Sequence, residues 1–250
     1  MKTVKTNGIS HHTYLVSSGK AGQGASTIAV NIAAALSLRG NRVGILDADI
    51  HFPAILRLLG AHTAAFPVQA FGIQIFAFER FVPGAQSDPV VRKKRIAGTM
   101  EQLISHIDRD HLDFLIVDLP SGDRQIQDVV VNAFAPNGAV IVTTPNEANR
   151  KDLQQHVCIF QQQGVPIIGL VENMVSWCCE KCGHVESFYT GLTDRWCQIE
   201  TIAVLPMERG IWQSAQKGVP LVFDAINSDP GQTFNRIAVR LEYKHVETVS

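Results

Sequence analysis

Thr13-Tyr14-Leu15-Val16, Val43-Gly44-Ile45-Leu46, Ile73-Gln74-Ile75-Phe76, Phe114-Leu115-Ile116-Val117, Ala139-Val140-Ile141-Val142, Ile167-Ile168-Gly169-Leu170 and Ile202-Ala203-Val204-Leu205 are short, largely apolar runs that recur between helical patterns. A strand that is apolar on both sides needs cover on both faces, which a sheet sandwiched between helices provides. The recurrence therefore predicts an α/β fold: a doubly wound, mostly parallel sheet flanked by helices, with ligands at the carboxyl ends of the strands. At 250 residues, 46% hydrophobic and a mean hydropathy of +0.07, the chain can bury a sizeable core, and 1–250 reads as one domain.

Between the first strand and the first helix lies Gly19-Lys20-Ala21-Gly22-Gln23-Gly24-Ala25-Ser26-Thr27. Its layout is that of G-x-x-x-x-G-K-[ST], in which glycines let successive N–H groups curl round phosphate oxygens, a lysine reaches the β- and γ-phosphates and a hydroxyl binds magnesium. Gly19, Gly24 and Ser26 hold their places; Ala25 stands at the lysine position. Ser26 to Leu38 carries helical spacing, closed by Arg39-Gly40. A strand, a glycine-rich turn and a helix N-terminus form an anion site with or without the lysine. Asp47-Ala48-Asp49 and Asp118 follow two of the apolar strands, which puts carboxylates beside this loop, where magnesium and an attacking water are managed.

Composition excludes several function classes. A net charge of −1 and a pI near 6.7 give no general electrostatic grip on nucleic acid or an anionic membrane, and Arg92-Lys93-Lys94-Arg95 reads as a solvated face. No stretch approaches the ~18 apolar residues of a membrane span. Met1-Lys2-Thr3-Val4 leads into polar residues rather than a signal-peptide core, so the expected location is the cytoplasm. His11-His12 is expected to face solvent, Cys158 to be a buried helical thiol, and Phe234 to Val246 to form an amphipathic helix packed against the sheet.

The stretch from Val175 to Cys197 breaks the strand–helix rhythm, is rich in cysteine and aromatics, and is too short for a core of its own; it reads as a functional insertion at about 175–197. Cys179-x-x-Cys182 in a chain of this type is not a structural disulfide. A single C-x-x-C offers half of a four-thiolate iron-sulfur site. With Gly183-His184 it also resembles half a zinc ribbon that Cys197 could complete, Cys178 being a further candidate ligand, and redox chemistry is a third reading. Trp177, Phe188, Tyr189 and Trp196 surround the cysteines and suit packing against a partner subunit.

The loop, Ile45-Leu46-Asp47-Ala48-Asp49-Ile50, Leu115-Ile116-Val117-Asp118-Leu119-Pro120-Ser121-Gly122, Val142-Thr143-Thr144-Pro145, and Val171-Glu172-Asn173-Met174 followed by Cys179-Glu180-Lys181-Cys182-Gly183 together resemble the Mrp/ApbC-type iron-sulfur cluster carriers, in collinear order from about Tyr14 to about Val222. That family belongs to the deviant-Walker (SIMIBI-type) P-loop ATPases, with the division-site and plasmid-partition ATPases and the nitrogenase iron protein. The resemblance implies that Lys20 is the signature lysine reaching a dimer partner's nucleotide and that Asp49 orients the attacking water. It implies that Gly19 to Thr27 cradle ATP or ADP, that Ser26, Asp47 and Asp118 form the magnesium shell, and that Asn173 and Pro206 contact the base. It also implies that Cys179 and Cys182, paired across a homodimer, hold a 4Fe-4S cluster for transfer to apoprotein recipients. The family pattern has lysine at Ala25, glycine at Ala21, an aliphatic residue at Gln23 and a second proline at Ser121. Those departures predict nucleotide binding with slow or absent hydrolysis. The alternatives are a partition-type switch with zinc or no metal, and a reductase component, for which a C-x-x-C is a poor match.

Overall fold

The computed structural model describes residues 11–61, 66–78, 98–179, 181–188 and 197–249, with side-chain surroundings through residue 243. Met1 to Val4, Arg92 to Arg95, Tyr189 and Trp196 lie outside the described residues. The strands are β1 (His12–Ser18), β2 (Val43–Asp47), β3 (Val68–Ala70), β4 (Ile73–Ala77), β5 (Phe114–Asp118), β6 (Gly138–Thr143), β7 (Ile167–Glu172), β8 (Ser176–Cys178), β9 (Val185–Ser187) and β10 (Thr201–Val204). An 8-stranded sheet runs β10-β7-β6-β1-β5-β2-β4-β3, parallel throughout except for the β3–β4 pair; β8 and β9 form a separate antiparallel pair. The helices α1 (Ala25–Leu38), α2 (Ile55–Leu58), α3 (Arg124–Phe134), α4 (Arg150–Gln162), α5 (Arg209–Lys217), α6 (Leu221–Asp224) and α7 (Asp229–Val249) connect or cover the strands; residues 98–105 are also helical.

The expected double winding is present, and β1 shows why. Tyr14 and Val16 face a core shared with α1 and α7, while Leu15 faces a second core shared with α3 and α4. Both faces are dry, so the strand has no polar side to expose. Phe234, Ile237, Ala238 and Leu241 seat α7 against α1 and the sheet, and Tyr14 Oη donates to the Leu241 carbonyl at 3.1 Å. The same central placement overturns the expectation for His12. It opens β1 at 1% exposure, with Phe114 and Tyr14 ring centroids at 6.0 and 6.4 Å, while His11 is half-buried. Cys158 is also corrected: it is exposed, because Leu153, His156, Val157 and Phe160 take the buried face of α4. β1 to β5 lie on one side of the sheet, and the chain then crosses β1 to lay down β6, β7 and β10. This reversal brings the carboxyl ends of β1, β2 and β5 to one crevice. No described helix is long and apolar enough to cross a membrane.

Candidate functional site

β1 ends at Ser18 and α1 starts at Ala25, with Gly24 at the N-cap in the left-handed region (φ 92°). No side chain caps α1 and no acidic residue occupies its first turn; its first backbone bond is Ile28 N–H to Gly24 O at 3.1 Å. The preceding N–H groups of Ala25, Ser26 and Thr27 therefore lack helical partners, which suits an anion at the positive end of the helix dipole. Ser18 Oγ donates to the Lys20 carbonyl at 2.9 Å and shapes the turn. A side chain at Gly19 would stand 2.8 Å from the Asp152 carbonyl, so glycine is what lets α4 pack against the loop. Lys20, Ala21 and Gly22 are exposed, Gln23 is buried, and Ala25 to Thr27 are half-buried. Gln23 Oε1 has no partner.

Asp47 and Asp118 are paired in the parallel β2–β5 register, at the carboxyl ends of both strands, and each is 1% exposed. Burial pushes Asp47 up to about 7, against hydrogen bonds from the N–H groups of Ile55 (3.1 Å), Ala54 (3.0 Å) and Asp49 (3.1 Å) that favour its charge. Burial, then the Asp47 charge, raises Asp118 well above the carboxylate range, opposed by a hydrogen bond from Ser26. Asp118 Oδ2 is buried without a partner. Two crowded carboxylates and a serine hydroxyl are a hard-oxygen donor set with a vacant acceptor, and they fit Mg²⁺, whose charge would relieve their repulsion. Asp49 lies just beyond: its Oδ1 accepts the N–H groups of His51 and Phe52, both at 3.0 Å, so one oxygen caps a turn. His51 Nε2 lies 3.0 Å from Asp123 Oδ2, tying the loop after β2 to the N-cap of α3.

The cysteines stand apart from this crevice on the β8–β9 hairpin, whose residues are mostly exposed. Cys179 N–H donates to the His184 carbonyl and Gly183 N–H to the Cys179 carbonyl, both at 2.8 Å; this tight knuckle presents Cys179 and Cys182 from one turn. Cys178 and Cys182 are exposed and Cys179 is half-buried. Trp177 (40% exposed) and Phe188 lie on the same hairpin, and Pro206 and Met207 line a groove of about 860 Å³ with Trp177, Cys178 and Cys179. Cys197 instead packs, half-buried, against the second core. Among the described residues no three His, Cys, Asp or Glu side chains come together as a metal site, so the zinc ribbon completed within one chain is not assembled.

Asn173 is adjacent to the loop, and its Nδ2 donates to the Gln23 carbonyl at 2.9 Å. That bond and the His51–Asp123 contact were not foreseen from sequence; an asparagine directly after an apolar strand is the only local signal for the first.

A family model described as NUBPL iron-transfer P-loop NTPase, of the ParA group, matches residues 9–242. The iron-sulfur cluster carrier protein of Haemophilus influenzae is 33% identical over 239 residues, 90% of this chain; the chain spans 64% of that protein's length. The iron-sulfur cluster carrier protein of Methanocaldococcus jannaschii is 31% identical over 247 residues, covering 93% of this chain and 84% of the relative. Among solved structures, a nucleotide-binding protein from Archaeoglobus fulgidus in complex with ADP superposes with a TM-score of 0.69 at 26% identity, covering 85% of this chain and 88% of that one. The chain belongs to the NUBPL-type iron-transfer P-loop NTPases of the ParA group.

Proposed function

We propose that this chain is an iron-sulfur cluster carrier that holds its cargo at Cys179 and Cys182 and binds ATP or ADP at residues Gly19 to Thr27, with slow or absent hydrolysis. The carrying observation is the exposed knuckle that offers two thiols and, among the described residues, no third ligand in the same chain. Thiolates are the usual cluster ligands, and two per chain make a four-thiolate site when two copies meet. Two thiols per chain support a homodimer that shares a 4Fe-4S cargo and delivers it to apoproteins in the cytoplasm. The chain works as one domain with a cysteine insertion at about 175–197, and needs neither nucleic acid nor membrane.

At the loop, the N–H groups at the start of α1 and the exposed Lys20 hold phosphate oxygens, Lys20 from either subunit. Ser26, Asp47 and Asp118 would hold Mg²⁺, which would supply charge neutralisation to the phosphates. Asp49 Oδ2, the oxygen not used by the turn, is the atom able to take a proton from water. Asn173 and Pro206 flank the base. Ala25 cannot neutralise developing charge on the transferred phosphoryl group, which is why turnover is slow.

Anaerobic reconstitution with iron and sulfide, followed by measurement of iron, sulfide and zinc per subunit, tests the cargo. Iron and sulfide bound by the wild type and absent from a Cys179→Ala, Cys182→Ala variant are expected. Zinc alone, or no metal, refutes the carrier reading and favours a nucleotide-sensing switch.

A further inference from the structure

The hairpin hangs from β7 by a short connection, Asn173 to Val175, whose two outer residues are pinned to different parts of the molecule. Asn173 N–H donates to the Thr143 carbonyl at 2.8 Å, which holds it to β6, and its side-chain Nδ2 donates to the Gln23 carbonyl at 2.9 Å. Val175 N–H donates to the Leu205 carbonyl at 3.1 Å and its own carbonyl accepts Phe188 N–H at 2.9 Å, inside the hairpin base. Met174 lies between these anchors at φ 58°, a left-handed position for a side chain that does not favour it. Such a conformation persists only where its surroundings over-determine it. Asn173 is 8% exposed, and a Cβ at Gly24 would fall on its Nδ2 and 3.8 Å from the Met174 terminal methyl.

The peptide joining Gln23 to Gly24 is a rigid trans plane, so its carbonyl and its N–H point in opposite directions. Asn173 holds the Gln23 carbonyl, and through the rigid plane it fixes the orientation of the Gly24 N–H, one of the donors of the glycine-rich loop. A ligand that pulls on that N–H rotates the plane, and the rotation is felt first at the Asn173 amide and then at Met174. We propose that Asn173 and Met174 are positioning residues that link the phosphate loop to the cysteine hairpin, so that a phosphate-bearing ligand in the loop changes the accessibility of Cys178, Cys179 and Cys182. The link rests on the nucleotide reading above, and it works through the phosphate cradle rather than through the base.

The test is alkylation of the full chain, reduced and cluster-free, by iodoacetamide, with the rate at each cysteine read by mass spectrometry. Cys158, exposed on α4, serves as the internal reference. The ligands are pyrophosphate and ADP, each with Mg²⁺, and their binding is followed separately by calorimetry. Saturating pyrophosphate is expected to change the hairpin rates by about fivefold, the equivalent of one hydrogen bond's coupling, with Cys158 unchanged. Met174→Gly, which suits a left-handed position, keeps pyrophosphate binding and loses the rate change. Asn173→Ala loses the rate change and also binds pyrophosphate about fivefold more weakly, because the Gly24 N–H is no longer aimed. Bound pyrophosphate with unchanged wild-type rates, a full response in Met174→Gly, or a response to ADP alone each overturns the link while leaving nucleotide binding standing. Failure of the wild type to bind either ligand overturns both.

Discussion

Gly24 and Gly22 form a matched pair for measuring what Asn173 does to the loop. Both are left-handed, at φ 92° and 86°, so alanine at either position carries the same backbone strain of about 1–2 kcal/mol. At Gly22 nothing lies within 4 Å of the added Cβ, and strain is the whole effect. At Gly24 the Cβ lands on Asn173 Nδ2, which must withdraw from the Gln23 carbonyl 2.9 Å away. Leaving such buried partners unsatisfied costs about 1–3 kcal/mol more. Gly24→Ala should therefore lose about 2–5 kcal/mol of stability, about 1–3 kcal/mol beyond Gly22→Ala. Urea unfolding of the ligand-free protein reads this as a shift in midpoint at constant m-value. In an Asn173→Ala background the excess should vanish, since the partner it displaces is already gone. Equal losses for the two alanines, or an excess that survives without Asn173, would refute the reasoning.

Ala25→Lys restores a cation at the start of α1; a charge-assisted hydrogen bond of about 1.5–3 kcal/mol should tighten ADP binding at least about tenfold in calorimetry, with phosphate release from ATP rising in parallel. If neither changes, the defect lies at Ala21 or Gln23 instead. Burial lowers His156, hydrogen-bonded to Ser17 Oγ at 2.9 Å, from 6.5 to about 4. The unfolded chain takes up this proton below pH 6.5 and the fold does not until about 4, so stability is full above 6.5 and falls by about 3 kcal/mol on acidification. His156→Gln should flatten that limb of a denaturation series between pH 7 and 4.5, and an unchanged slope would assign the acid sensitivity elsewhere.

The central strands were legible because burial on both faces writes itself into the sequence as unbroken apolar runs. Val68-Gln69-Ala70 escaped notice as a short strand at the sheet edge, and Ser176-Trp177-Cys178 because an exposed hairpin has no buried face to create a period. His12 misled for the opposite reason: a polar residue at a strand's start reads as surface, whereas the rings of Tyr14 and Phe114 close over it. The phosphate loop and the acidic strand ends were readable since their chemistry sits in consecutive residues or directly after a strand. The Asn173–Gln23 bond joins positions 150 apart and ends on a main-chain carbonyl, which no residue type betrays.

The replacement at Ala25 changes what the crevice asks of its ligand. Asp47 and Asp118 are buried side by side, and burial above all holds both toward the neutral form, with the Asp47 charge adding to it at Asp118. A loop lysine would offset both these carboxylates and an incoming polyphosphate; Ala25 offers no such charge, and Lys20 stands exposed in the same loop. In the reading proposed above, Mg²⁺ at the carboxylates would favour phosphate in the loop, and phosphate would favour the metal, because each charge offsets the other. On that reading the backbone N–H groups would hold bound phosphate, more weakly than a loop with its lysine, and without the cation whose effect grows as the phosphoryl group departs. On the proposed reading, such a site would retain the occupied and unoccupied states and lose the fast chemical step between them. Under the proposed link to the cysteine hairpin, occupancy is the quantity transmitted, and a ligand that stays bound would be a steadier signal than one that is consumed.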